Sequence, residues 1–276
     1  MSDELFSFEM ASKIEIAGTI TKLSASVAGK VIISGSHGGE LPGGLAIRAG
    51  GRAVILNDAG CGLDDAGIGS LELCQGFGMA AATVSHNSCR IGDANDMVLR
   101  GIISHANKIA LDARVTIGQP CKQAAEILTK APLPNFNEPP HFLENREVLT
   151  LDGSKRTFIM VDSASMVILE DADQVVLTGS HGGLIGNNPK YAIKTPVYAA
   201  FYNDAGVGFE QWGVTRLPAL QDQGIAGITL DCMTCRIGDA ASAYATGIVS
   251  TVNNRAQEFG VQIGITAHEA VRILCG

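Results

Sequence analysis

The sequence predicts an α/β protein made of two tandem, pseudo-symmetric copies of one parallel-sheet (Rossmann-like) unit, and three observations predict it. The hexapeptide Cys-Arg-Ile-Gly-Asp-Ala occurs twice, from Cys89 to Ala94 and from Cys235 to Ala240. Asn57-Asp58-Ala59-Gly60 returns as Asn203-Asp204-Ala205-Gly206, and Gly101-Ile102 as Gly247-Ile248, at the same interval. Gly35-Ser36-His37-Gly38-Gly39 returns at Gly179 to Gly183 with a slip of two positions. Finally, short apolar runs alternate with stretches of helical spacing in each copy.

Taken in order, Val31-Ile32-Ile33, Ala53-Val54-Ile55-Leu56 and Ala81-Ala82-Thr83-Val84 read as buried parallel strands, each bounded by Gly, Asn or Asp. Ala94, Val98, Ile102 and Ala106 recur every four residues, as do Ala240, Tyr244, Ile248 and Val252, which predicts one helix after each cysteine motif. Val115-Thr116-Ile117 reads as a fourth strand, and Pro120 suits the first turn of a helix through Ala124, Ile127 and Leu128. Such alternation implies a doubly wound sheet in each half. The first repeat spans residues 1–130, a Pro-rich linker 131–150 and the second repeat 151–276.

Composition bounds the function. The 276 residues are 46% apolar and carry a net charge of −8, so no basic face is available for nucleic acid. No apolar run approaches the roughly 20 residues that span a bilayer, and Met-Ser-Asp-Glu-Leu at the start is no secretory leader. Seven cysteines, an odd number lying mostly in apolar elements, suit a reducing cytoplasm. A homo-oligomer is compatible with all of this.

The three repeated motifs follow strand ends and lead into helices, where open α/β sheets bind ligands. Cys89 and Cys235, near helix starts and beside Arg90 and Arg236, are candidate thiolates; the arginine forks suit a carboxylate. Gly92 and Gly238 permit close approach of a ligand, and Asp93 and Asp239 read as substrate contacts or as helix caps. The loops Ser36-His37-Gly38-Gly39 and Ser180-His181-Gly182-Gly183 suit a general base with an oxyanion pocket. Asn57-Asp58 and Asn203-Asp204 place a carboxylate where it orients the histidine, completing a Cys/His/Asp relay, or simply close a turn.

Neither a phosphate-binding loop nor a dinucleotide fingerprint is present, so no cofactor is expected. Cys232-Met233-Thr234-Cys235 also reads as a redox pair or, with His86 and Cys89, as a zinc set; neither reading outranks the relay, and no metal is assigned. Cys61, Cys74, Cys121 and Cys275 lack counterparts and read as packing. Trp212, Phe209 and Tyr202 flank the second Asn-Asp loop, as core or as substrate-shaping residues.

Two α/β halves with one cysteine each resemble the aspartate/glutamate racemase superfamily, whose two thiols act on opposite faces of one carbon. The sequence departs from that pattern: Arg follows each cysteine where the family typically has Thr, and the Ser-His-Gly-Gly loops are not part of it. The expectation is an enzyme acting on a small anionic, carboxylate-bearing metabolite. A cysteine-dependent isomerase or racemase with a site between the repeats ranks ahead of a Cys-His-Asp hydrolase or lyase acting on a small amide or cyclic substrate. A two-lobed small-anion binder is the third reading.

Overall fold

The computed structural model describes residues 6–142 and 144–276; Met1–Leu5, on which the reading of the N-terminus rests, and Leu143 in the linker lie outside the described residues. The chain forms two compact units, each an α/β layer structure around a mixed, mainly parallel sheet. The first unit takes the chain up to Gly60, Ala66–Phe142 and the short segment Gly208–Glu210. The second takes Cys61–Asp65, Leu143–Val207 and Gln211–Gly276.

In the first unit, β1 (Ile14–Ala17), β2 (Val31–His37), β3 (Ala53–Asn57), β4 (Ala80–Val84) and β5 (Ile103–Ala106) lie in that order. The first four are parallel and β5 runs antiparallel to β4. The run of apolar residues is continuous because both sheet faces are covered. Ile32, Val54, Leu56 and Ala81 pack under α1 (Glu40–Arg48) and α2 (Ser70–Gly76). Val31, Ile33, Ile55 and Ala82 pack under α3 (Ala94–Arg100) and α5 (Cys121–Leu128), with α4 (Lys108–Asp112) at their edge.

Three expectations change here. Gly101 ends α3: its N–H closes on Met97 O, and a Cβ there would lie 2.4 Å from that oxygen. The apolar spacing that continues through Ala106 therefore belongs to a helix and then a strand, β5. Val115-Thr116-Ile117 is a loop, with Val115 buried and Ile117 exposed. Nor is the sheet doubly wound. The strands follow chain order without a reversal, and α3 and α5 reach the second face only because β5 turns back against β4. Pro120 stands at the N-cap of α5, one position before the first turn expected for it.

The second unit repeats the plan with β6 (Arg146–Leu149), β7 (Phe158–Val161), β8 (Val175–His181), β9 (Ala199–Asn203), β10 (Ala226–Leu230) and β11 (Val249–Val252). β7 to β10 are parallel, and β6 and β11 close the two edges antiparallel. Its helices are α6 (Arg216–Gln221), α7 (Ala240–Thr246), α8 (Asn254–Glu258) and α9 (Ala267–Cys275). Gly247 stops α7 as Gly101 stops α3. Where α1 follows the first histidine loop, the second unit has only the short turns Ile185–Asn187 and Pro189–Tyr191.

The stretch read as a linker is shared between the units. Arg52 donates to Ala131 O, Phe142 lies against Gly44 on α1, and β6 is already an edge strand of the second sheet. Among the described residues, no helix is long and apolar enough to cross a membrane.

Candidate functional site

Parallel register brings the repeated motifs together inside each unit. His37 at the end of β2 stands beside Asn57 at the end of β3, and Asn57 beside Val84 on β4; His181 pairs with Asn203 in the same way. A glycine pair then fuses the histidine loop to the cysteine motif. Gly92 donates its N–H to Gly35 O at 2.7 Å, and Gly238 to Gly179 O at 2.7 Å. A Cβ on Gly35 or on Gly179 would fall 2.7 Å from the partner glycine's carbonyl carbon. Gly92 and Gly238 adopt φ 80° and 84° to make this approach. The close approach expected for a ligand is thus taken by the protein's own backbone.

The cysteines depart furthest from expectation. Cys89 and Cys235 are 0% exposed within the two apolar cores. Each thiol donates to a carbonyl four residues back, Ser85 O at 3.7 Å and Asp231 O at 3.6 Å. Each accepts from the amide of its neighbouring asparagine, Asn57 at 3.8 Å and Asn203 at 3.6 Å. Burial, above all, pushes both thiols up to about 12. The helix termini favour Asp93 and Asp239 instead, whose carboxylates cap α3 and α7 by accepting from Asp96 N at 3.1 Å and Ser242 N at 2.8 Å. The thiolate expectation is therefore corrected: these are protonated core thiols.

The histidine loops spend their donors internally. Gly38 N donates to Asn57 O at 2.6 Å and Gly39 N to the His37 Nδ1 at 3.1 Å; Gly182 and Gly183 do the same for Asn203 and His181. The oxyanion pocket expected from these N–H groups is not free. Ser36 and Ser180 accept from Ile20 N and Ala164 N. Burial lowers His37 to about 4, so its ring is neutral at pH 7, with the proton on Nε2 because Nδ1 accepts.

The expected relay is also wired differently. Asn57 and Asn203 accept from Ala59 N and Ala205 N at 2.9 Å, the turn-closing role. Asp58 pairs with His86, not with His37: its Oδ1 accepts the His86 ring Nδ1 and the His86 backbone N–H, both at 2.8 Å. Asp204 meets Cys232 at the equivalent position and accepts its backbone N–H at 3.0 Å, with the Cys232 thiol as a second, weaker donor. Burial drives Asp58 up, but the His86 hydrogen bonds and charge, with a Ser104 hydroxyl, outweigh it and hold the carboxyl below the ordinary carboxylate range. For Asp204, burial wins over Ser250 and two backbone N–H groups, and Asp231 adds to the rise, so it titrates above that range. His86 was visible in the sequence only as a zinc candidate three positions before Cys89.

The loops after β3 and β9 are the second feature that the sequence hid. Ala59, Gly60, Cys61 and Gly62 have φ of 48°, 77°, 59° and 74°, and Ala205 to Gly208 have 51°, 72°, 61° and 68°. Four successive residues thus have φ in the left-handed region, which costs a non-glycine residue about 1–2 kcal/mol. Asp64, Asp65, Glu210 and Gln211 are left-handed as well. Alternating glycines were the only signal.

Each unit's arginine is occupied by a carboxylate of that unit. Arg90 pairs with Glu210, whose neighbour Phe209 carries the Arg100 guanidinium 4.3 Å from its ring centroid, and Arg236 Nε donates to Asp64 at 2.8 Å. Trp212 and Tyr202 are buried and hydrogen-bonded to Leu184 O and Ala192 O, which makes them core.

In the second unit a carboxylate oxygen of Asp204, one of Asp231 and the Cys232 sulfur lie within 4.8 Å of one another, a spacing open to a cation. Asp204 Oδ1, however, already accepts Gly206 N and Cys232 N at 3.0 Å each.

Comparison with family models, with curated proteins and with solved structures finds no match.

Proposed function

We propose that this chain is an enzyme that moves a proton on a small carboxylate-bearing metabolite without a nucleotide cofactor, isomerisation or racemisation ranking ahead of hydrolysis. One observation carries the reading. Both repeats hold the same four non-glycine positions of the loop after β3 or β9 in left-handed backbone, directly after a buried aspartate. A turn needs no such strain, and strain of this kind collects at sites that must be preorganised.

The chemistry follows from the groups around it. A buried carboxylate hydrogen-bonded to a part-exposed imidazole is the arrangement that general acid–base catalysis uses. Hydrolysis ranks lower because the Gly38 and Gly39 N–H groups are engaged and Cys89 is no nucleophile at neutral pH. The simple anion binder ranks lowest, since Arg90 and Arg236 already hold carboxylates.

The test is proton exchange in D2O, followed by NMR, on a panel of 2-amino, 2-hydroxy and 2-methyl carboxylic acids. The reading expects one class to lose its C–H signal next to the carboxylate and to interconvert its stereoisomers. Absence of exchange across the panel contradicts it.

A further inference from the structure

We propose that His86 is the base that accepts the substrate's proton, positioned by Asp58, and that the second repeat, with Cys232 at the same position, lacks this base. The proposal rests on the proton-transfer reading and names the group that performs it.

A base at neutral pH needs an available lone pair, a route to the substrate and a partner for the charge it gains. Of the histidines and cysteines in the repeated motifs of the first unit, His37 presents Nε2–H and so has no free lone pair, and Cys89 is fully buried. His86 meets all three requirements. Its Nδ1 faces Asp58 Oδ1 at 2.8 Å, and an ionised Asp58 requires the proton on that nitrogen, which leaves Nε2 as an acceptor. Its side chain is 21% exposed and that of Asp58 4%, so the orienting carboxylate is sequestered while the ring reaches the surface. The Asp58 contact to the His86 backbone N–H fixes the loop as well as the ring.

In the second unit the backbone contact survives but the chemistry does not. Cys232 N donates to Asp204 Oδ1 at 3.0 Å, yet the side chain is a thiol, and Asp231 stands where the first unit has Ser85. Burial, reinforced by the two carboxylates beside it, keeps the thiol's proton on.

The step balances without a co-reactant. The substrate C–H bond breaks, its electron pair stays on the carbon as an enolate-type anion, and the proton moves to His86 Nε2. The imidazolium so formed pairs with the Asp58 carboxylate and then returns the proton to carbon.

The experiment compares His86→Asn, Asp58→Asn and Cys232→Ser in the full chain. Asparagine at position 86 keeps an amide N–H for Asp58 while removing the ring lone pair, so folding and catalysis are separated; His86→Gln serves as the second variant. Both position-86 variants should lose exchange by about 10²–10⁴-fold, Asp58→Asn should lower kcat more than it raises KM, and Cys232→Ser should stay within about threefold. Retained exchange in the position-86 variants, or loss in Cys232→Ser, overturns the proposal while leaving the proton-transfer reading intact. If the wild type exchanges nothing, that reading fails first, and ¹⁵N spectra of the ring decide the rest. A proton on Nδ1 that moves to Nε2 in Asp58→Asn supports an Asp58-oriented base. A proton on Nε2 in the wild type overturns it.

Discussion

Asp58 and Asp204 occupy equivalent places in two copies of one unit, accept equivalent backbone N–H groups and are equally buried, yet they titrate in opposite directions. The difference comes from two adjacent positions, Ser85-His86 in one copy and Asp231-Cys232 in the other. At position 86 the neighbour is an imidazole that donates to the carboxylate, and at position 232 it is a thiol with a second carboxylate beside it. The supporting backbone is shared: the glycine pairs, the asparagine–thiol contacts, the left-handed turns and the helix caps. The duplicated scaffold keeps its geometry, while the side chains it presents beside the aspartate differ, His86 and Ser85 in one copy standing where the other has Cys232 and Asp231.

This comparison can be broken or sharpened, starting with its shared part. Gly35→Val and Gly179→Val each force a side chain into backbone 2.7 Å away, and both should cost at least about 3 kcal/mol by urea unfolding, to similar extents. A large cost in one repeat alone would show that the scaffolds are not equivalent.

Next in size is the acid response of His37. Its native pKa of about 4 lies below the unfolded value near 6.5, so the unfolded chain binds the proton first. Stability from this group is full above about pH 6.5 and lost as pH falls towards 4, a span worth about 3 kcal/mol. His37→Gln should flatten the unfolding free energy across that window.

The diverged positions give the third effect. Asp58 is lowered, so its contribution is present above the ordinary carboxylate range and lost as pH falls through its native pKa; Asp204 is raised, so its contribution is present at low pH and lost as pH rises. At pH 7, Asp58→Asn should destabilise by about 1–3 kcal/mol, whereas Asp204→Asn should be neutral or stabilising because the amide oxygen still accepts both N–H groups. The smallest effects belong to Glu210→Gln and Asp64→Asn. These pairs are substantially exposed, and each loss should stay under about 1 kcal/mol and shrink with salt.

Much of the architecture was legible because it is periodic. β-Branched runs between glycines gave β2 and β3, and the repeat interval predicted that the second unit would follow the first. The boundary at Gly101 was not, since its helix-ending effect comes from a clash with Met97 O, while the apolar spacing carries on regardless into β5. The convergence of the repeated motifs was legible, and their hydrogen bonding was not. His37, Asn57 and Cys89 do converge, but their hydrogen bonds run to glycine amides, to a turn and to a core, which spacing alone does not reveal. The Asp58–His86 pair joins residues 28 apart and has no local pattern. The left-handed turns also escaped, because Ala59, Cys61, Ala205 and Val207 are residue types that ordinarily avoid that conformation.

The divergence of the two centres is tested most directly by a carboxyl ¹³C titration of aspartate-labelled protein, with the two resonances assigned through Asp58→Asn and Asp204→Asn. The account predicts that Asp58 titrates below the ordinary carboxylate range and Asp204 above it. Two aspartates titrating together, or in the reverse order, would contradict it.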